Sequence, residues 1–173
     1  SDAPVRRYAT VAAVGRRQGL HVGITRTVAF GTPPSQLLDA HHHASMLLGT
    51  AVYFSQSGWK IGDVWARIRR IYEKFGAADE WRLADQGEVC GYEPCEAAIL
   101  PGSDVVLQAG QPVFWHPSIG PATAGDTVLI QPGGQVCLTH APQWPQLAVS
   151  VKGTTIELPG VLVRDGHEDW AVG

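Results

Sequence analysis

Apolar positions follow one pattern in the first 75 residues and another beyond residue 78, and the change divides the chain. Residues 7–14 are rich in β-formers and predict a strand stopped by Gly15. Arg16-Arg17-Gln18-Gly19 reads as a turn. Residues 20–30 give a second strand, with apolar positions at Leu20, Val22, Ile24 and Val28. Two strands joined by a short glycine-bounded loop predict an antiparallel hairpin. Gly31-Thr32-Pro33-Pro34 ends it, because proline cannot donate to the ladder. Ser35 then reads as the N-cap of a long, partly buried helix over 36–56, its apolar positions being Leu37, Leu38, Met46, Leu47, Ala51 and Phe54. A second helix is predicted over 63–75. It carries Val64, Ile68, Ile71 and Tyr72 on one face, and a basic C-terminal end that suits the helix dipole.

From residue 78 the texture changes to short strands and loops. The candidates are residues 105–108, 112–116, 126–130, 135–139, 147–151, 154–158 and 161–163, separated by glycine and proline turns. Residues 167–173 are expected to be loose. Hairpin, helix, helix, then many strands is an α+β order, and with no linker or low-complexity stretch residues 1–173 read as one domain.

Composition narrows the function classes. The chain is 45% hydrophobic and 17% charged with 6 Trp, which is globular rather than disordered. A net charge of −3 with no basic stripe argues against a phosphate-tracking nucleic-acid role. The unbroken apolar runs fall far short of the ~20 residues of a membrane span. Ser1-Asp2-Ala3-Pro4 lacks the basic start and apolar run of a signal peptide. No nucleic-acid or membrane partner is therefore expected.

Three cysteines, Cys90, Cys95 and Cys137, are an odd number without CxxC spacing. They predict free thiols in a reducing, cytoplasmic compartment. His41, His42 and His43 are consecutive in a helical stretch, where neighbours point ~100° apart. They cannot converge on one ion, and a solvated face or a helix–helix contact is expected instead.

The second strand holds Ile24-Thr25-Arg26-Thr27 and is followed by Phe30-Gly31. Further on come Gly58 and Asp63-Val64, then Glu80-Trp81, Gln86-Gly87, Gly91-Tyr92, Pro94 and Glu96. Trp115-His116-Pro117-Ser118-Ile119 and Gly125-Asp126-Thr127 complete the series. In this order the pieces resemble the pita-bread superfamily of prolidase, aminopeptidase P, methionine aminopeptidase and creatinase. The closest likeness is to a subfamily with a Trp-Asn-Pro-Ser-Ile segment. The resemblance implies a pita-bread fold, incomplete at its N-terminus, since the chain starts almost directly on the strand that usually follows about two helices.

The family's hydrolysis uses two metal ions held by two Asp, one His and two Glu, which activate a bound water. Carried over position by position, these ligands fall on Ala12, Gly23, a position near Glu88, His116 and Gly125. Three of the five have no donor side chain, so the resemblance implies no metal and no other cofactor. Glu88 and His116 remain as a candidate acid/base pair, and Glu96 as a further catalytic candidate or a structural ion-pair partner. A nucleophilic Cys95 beside His116 is a weaker arrangement of the same cleft. Two readings of function stand. One is a metal-independent hydrolase acting on a small amide-like or peptide substrate; the other is a catalytically silent binding module. An uncovered apolar face on the first hairpin is expected, filled by a homo-oligomer or a missing N-terminal segment.

Overall fold

Two residues make the first turn. In the computed structural model, which describes residues 5–165, Gln18 (φ 53°) and Gly19 (φ 87°) both take the left-handed conformation. That geometry matches the twist of the flanking strands. Pairing therefore runs unbroken from Tyr8↔Ala29 to Arg17↔Leu20, giving β1 (Tyr8–Arg17) and β2 (Leu20–Phe30). Gly15 does not stop β1 as its sequence context suggested. It stands in open space within a continuous ladder, and Arg16 and Arg17 belong to the strand.

Helix α1 spans Ser35–Phe54 and α2 spans Ile61–Lys74. Ser35 is already helical. Pro34, with extended backbone, occupies the cap position and offers no side-chain cap. α1 is also more deeply buried than its apolar pattern predicts: between Ala44 and Val52 only Met46 is not buried, whereas Leu38 is exposed. The cause is enclosure by α2, β-strands and a C-terminal hairpin. Ser45 and Thr50 remain satisfied there by donating to the carbonyls of His41 and Met46, each at 2.8 Å. Gly49 allows close approach, since a Cβ built on it would lie 2.6 Å from Val149 Cγ2.

The strands that follow are β3 (Gly87–Val89), β4 (Ala97–Ala98), β5 (Pro112–Trp115), β6 (Ser118–Ile119), β7 (Ala122–Thr123), β8 (Asp126–Gln131) and β9 (Gly134–Cys137). The last three are β10 (Gln146–Val151), β11 (Thr154–Pro159) and β12 (Val161–Arg164). A five-stranded antiparallel sheet has the order β4-β3-β5-β8-β9, and β12 adds in parallel to β2 in a sheet of order β1-β2-β12. The expected strand at 105–108 is absent. Its backbone instead bonds to the turn before α2, through Gly58 N–H to Leu107 O and Ile61 N–H to Val105 O. Residues 167–173 lie outside the described residues.

The core lies between the helices and the five-stranded sheet, around Trp115, Leu47, Leu48, Val64, Ile68 and Tyr72. Trp115 Nε1–H donates to Ser55 Oγ at 2.9 Å, which fixes β5 against the end of α1. His43 stacks on Phe75 at 3.9 Å, the helix–helix contact expected of the histidine run. His41 is buried, and that burial, aided by neighbouring His42, pushes its pKa down to about 4. The unfolded chain, with an ordinary value of 6.5, therefore takes up a proton first as the pH falls. Stability contributed by neutral His41 is full above pH 6.5 and is lost as the pH drops towards 4, a loss of roughly 3 kcal/mol. Melting temperatures measured across that window should fall less steeply for His41→Leu than for the parent. Parallel curves would show that His41 does not carry the effect.

Candidate functional site

The β2 strand crosses the five-stranded sheet at β8, and two threonines fasten the crossing. Gly23 N–H donates to Thr127 Oγ1 at 2.9 Å, and the same hydroxyl donates to Gly23 O at 2.8 Å. Thr25 N–H donates to Gly125 O at 3.0 Å. Arg26 completes the fastening from the other side of β2. Its guanidinium donates to Thr25 O, Gly125 O, Asp126 Oδ1 and Thr139 O, all at 2.7–2.9 Å. Arg26 and Asp126 are both buried. Burial raises the Asp126 pKa, opposed by the Thr139 hydroxyl and Arg26.

Register then decides what meets on the inner face. Glu88 pairs with Phe114 across β3 and β5, and Phe114 pairs with Thr127 across β5 and β8, so these side chains share one face. His116 follows two residues after Phe114, its backbone held by a 2.9 Å bond from its N–H to Gln86 O. Gln86 is in turn locked by Tyr72, whose hydroxyl lies 2.6 Å from Gln86 Oε1. On β1, Ala12 pairs with Thr25 and so joins the same face. The five positions to which the resemblance carries the ligand set thus lie on one face.

The side chains there form a different constellation. His116 Nε2 and Glu88 Oε2 meet at 2.8 Å, each side chain about one-fifth exposed. The Phe114 ring lies over Gly23: a Cβ built on Gly23 would sit 2.8 Å from Phe114 Cγ and closer still to Cδ1 and Cε1. The ring also packs against His116, with centroids 4.7 Å apart. A Cβ on Gly125 would meet Thr25 Oγ1 at 2.8 Å and His116 Cβ at 3.1 Å. Glu96 bonds to neither member of the pair. Its carboxylate accepts from Tyr92 N–H at 2.8 Å and packs on Gly91, bracing that turn.

Cys95 is exposed, and desolvation together with Glu88 and Asp85 raises its pKa, which opposes a thiolate. With His116 Nε2 engaged by Glu88, the structure does not support the Cys95–His116 arrangement. Cys90 is buried and pushed up to about 11 by that burial, an inert thiol. Two open grooves, of about 480 and 410 Å³, lie elsewhere, beside Trp59 and Arg67 and beside His43 and Phe75.

No family model and no curated protein matches the chain. Solved structures do. A dipeptidase PepE from Mycobacterium ulcerans superposes with a TM-score of 0.75 at 21% identity, over 95% of this chain and 43% of that one. The prolidase from Pyrococcus furiosus gives 0.74 at 22%, over 83% and 44%. The chain has the pita-bread fold. It spans about two-fifths of the length of the enzymes it resembles. A third match, the N-terminal domain of a FACT complex subunit from chickpea, has a TM-score of 0.63 at 16% identity, over 77% and 35%.

The residues present do not fit the dinuclear metal centre of pita-bread peptidases. Ala12, Gly23 and Gly125 supply no side-chain donor atom, and the space a side chain on Gly23 would need is filled by Phe114. Phe114 was not apparent from sequence as part of the site. The signal was its position two residues before His116, a spacing that sets both on one face of extended backbone. Among the described residues no helix is long and apolar enough to cross a membrane.

Proposed function

We propose that this domain is a homologue of the prolidase and aminopeptidase P enzymes that has lost two-metal hydrolysis and serves as a polypeptide-binding module. The observation that carries this reading is Phe114, whose ring stands against Gly23 where a bridging carboxylate would have to project. Two-metal hydrolysis depends on hard oxygen ligands that hold both ions and activate water between them. A site of Ala12, Gly23 and Gly125 lacks them. The occurrence of this fold in a FACT complex subunit accords with use outside the peptidases. Three thiols that are free in the described structure suit a reducing compartment such as the cytoplasm.

A second reading is favoured by one specific contact. The His116–Glu88 pair is bonded yet partly open to solvent, the arrangement of an imidazole that shuttles a proton while a carboxylate orients it. On that reading His116 and Glu88 act on a small amide-like substrate without metal, and Glu96 shapes the rim. Xaa-Pro dipeptides and Xaa-Pro-led peptides, assayed with and without manganese, decide between the readings. The binding-module reading predicts no turnover above blank in either condition. Metal-dependent turnover would overturn both. Metal-independent turnover, lost in His116→Ala at unchanged melting temperature, would establish the second.

A further inference from the structure

Helix α2 buries one face, Ile61, Val64, Trp65, Ile68 and Tyr72. Asp63, Ala66, Arg67 and Arg70, at i, i+3, i+4 and i+7, form the stripe on its other side. Together with Gly58 and Trp59, which precede the helix, they line the open groove of about 480 Å³. That volume falls in the range of small-molecule sites. Trp59 is half-buried, its ring held against Phe54 with centroids 5.3 Å apart. The charges in this groove are spare. Asp63 and Arg67 stand at the i, i+4 spacing, acid on the N-terminal side, that favours an ion pair. They do not form one, and the Arg67 guanidinium lies instead over the Phe54 ring, 5.3 Å from its centroid. Among the described residues Asp63, Arg67 and Arg70 are in no ion pair, whereas neighbouring Arg69 pairs with Glu73 and Lys60 with Asp104.

We propose that this groove binds a guanine nucleoside monophosphate, its base stacked on Trp59, its base edge on Asp63 and its phosphate on Arg67 and Arg70. Each protein group answers one part of that ligand. An indole offers a flat face on which a base stacks. Two guanidinia match a phosphate dianion in charge and in donor geometry. A carboxylate only accepts. Guanine presents adjacent N–H donors at its Watson–Crick edge, where adenine turns a ring-nitrogen lone pair towards the acceptor. Asp63 and Arg70 are seven residues apart, a rise of about 10.5 Å along the helix. That rise is comparable with the reach of a mononucleotide from base edge to phosphate. A net charge of −3 disfavours a long polyanion, but one nucleotide needs only the two arginines. The groove lies apart from Glu88 and His116, so its binding is independent of whether the cleft turns over a substrate.

Isothermal titration of the whole chain with GMP, AMP, guanosine and inorganic phosphate tests the assignment. GMP should bind roughly tenfold more tightly than AMP or guanosine, with inorganic phosphate weaker still, and its affinity should fall as salt rises. Asp63→Asn should erase the preference for GMP over AMP. Arg67→Gln/Arg70→Gln, which keeps part of each apolar stem, should bring GMP down to the level of guanosine. Arg69→Gln, on the same helix but outside the groove, should bind GMP as the parent does. Circular dichroism should be unchanged in all three variants, because none of these side chains is buried. Equal affinity for GMP and AMP, GMP binding that survives the double substitution, or no binding of GMP overturns the proposal. So does an equal loss in Arg69→Gln, since general positive charge would then account for the binding.

Discussion

Arg26→Met should cost about 3–5 kcal/mol, the largest loss expected of any single surface-neutral change in this domain. The variant leaves Asp126 buried without its cation and removes four charge-assisted hydrogen bonds, three of which tie β2 to Gly125, Asp126 and Thr139. Replacing both partners is expected to be milder than removing one, because the unpaired buried charge is then gone. Arg26→Met/Asp126→Leu should therefore recover part of the loss. The exposed Lys60–Asp104 pair provides the contrast: at the same 2.7 Å separation, Lys60→Ala should leave the melting curve unchanged. Chemical denaturation of the four proteins checks the order. An Arg26→Met variant as stable as the parent would show that the clamp does not hold the two sheets together.

The second large effect is expected at Gly23. Gly23→Asp returns a carboxylate to the position that faces the cleft, but its Cβ would intrude on the Phe114 ring and its charge would enter a buried setting. Overpacking and an unpaired carboxylate together should cost about 3 kcal/mol or more. Phe114→Ala alone opens a cavity. In the double variant the two changes compensate sterically, so the cycle should show a favourable coupling of roughly 1–3 kcal/mol. Additive losses would mean that Phe114 does not hold the space over Gly23.

These two sites mark what was and was not legible in the sequence. The hairpin and both helices declare themselves through local apolar periodicity, and most later strands through glycine and proline punctuation. Gly15 misled because its low strand propensity is outweighed by continuous pairing on either side. Residues 105–108 have strand-like composition but find their backbone partners in a turn. The depth of α1 could not be read from its own pattern, since the hairpin that covers it lies about a hundred residues later. Glu88 and His116 were reachable through family resemblance, and their 2.8 Å contact follows from strand register. Phe114 against Gly23 was not reachable. It is a contact between a large and a small residue on strands far apart in sequence, visible only once the crossing of β2 over the sheet is known. Glu96 was reachable by motif as well, but its 2.8 Å bond from Tyr92 N–H was not legible in the sequence.

Metal binding tests the central claim most directly. Purified protein, supplied with manganese or cobalt and then desalted, should carry no stoichiometric metal by elemental analysis. Its melting temperature should not move with added metal, because Ala12, Gly23 and Gly125 offer no ligand and Phe114 fills the site. A functional site would instead stabilise the fold by about 2.7 kcal/mol at a hundredfold excess over Kd. Two ions per chain together with a rise of several degrees would contradict the account.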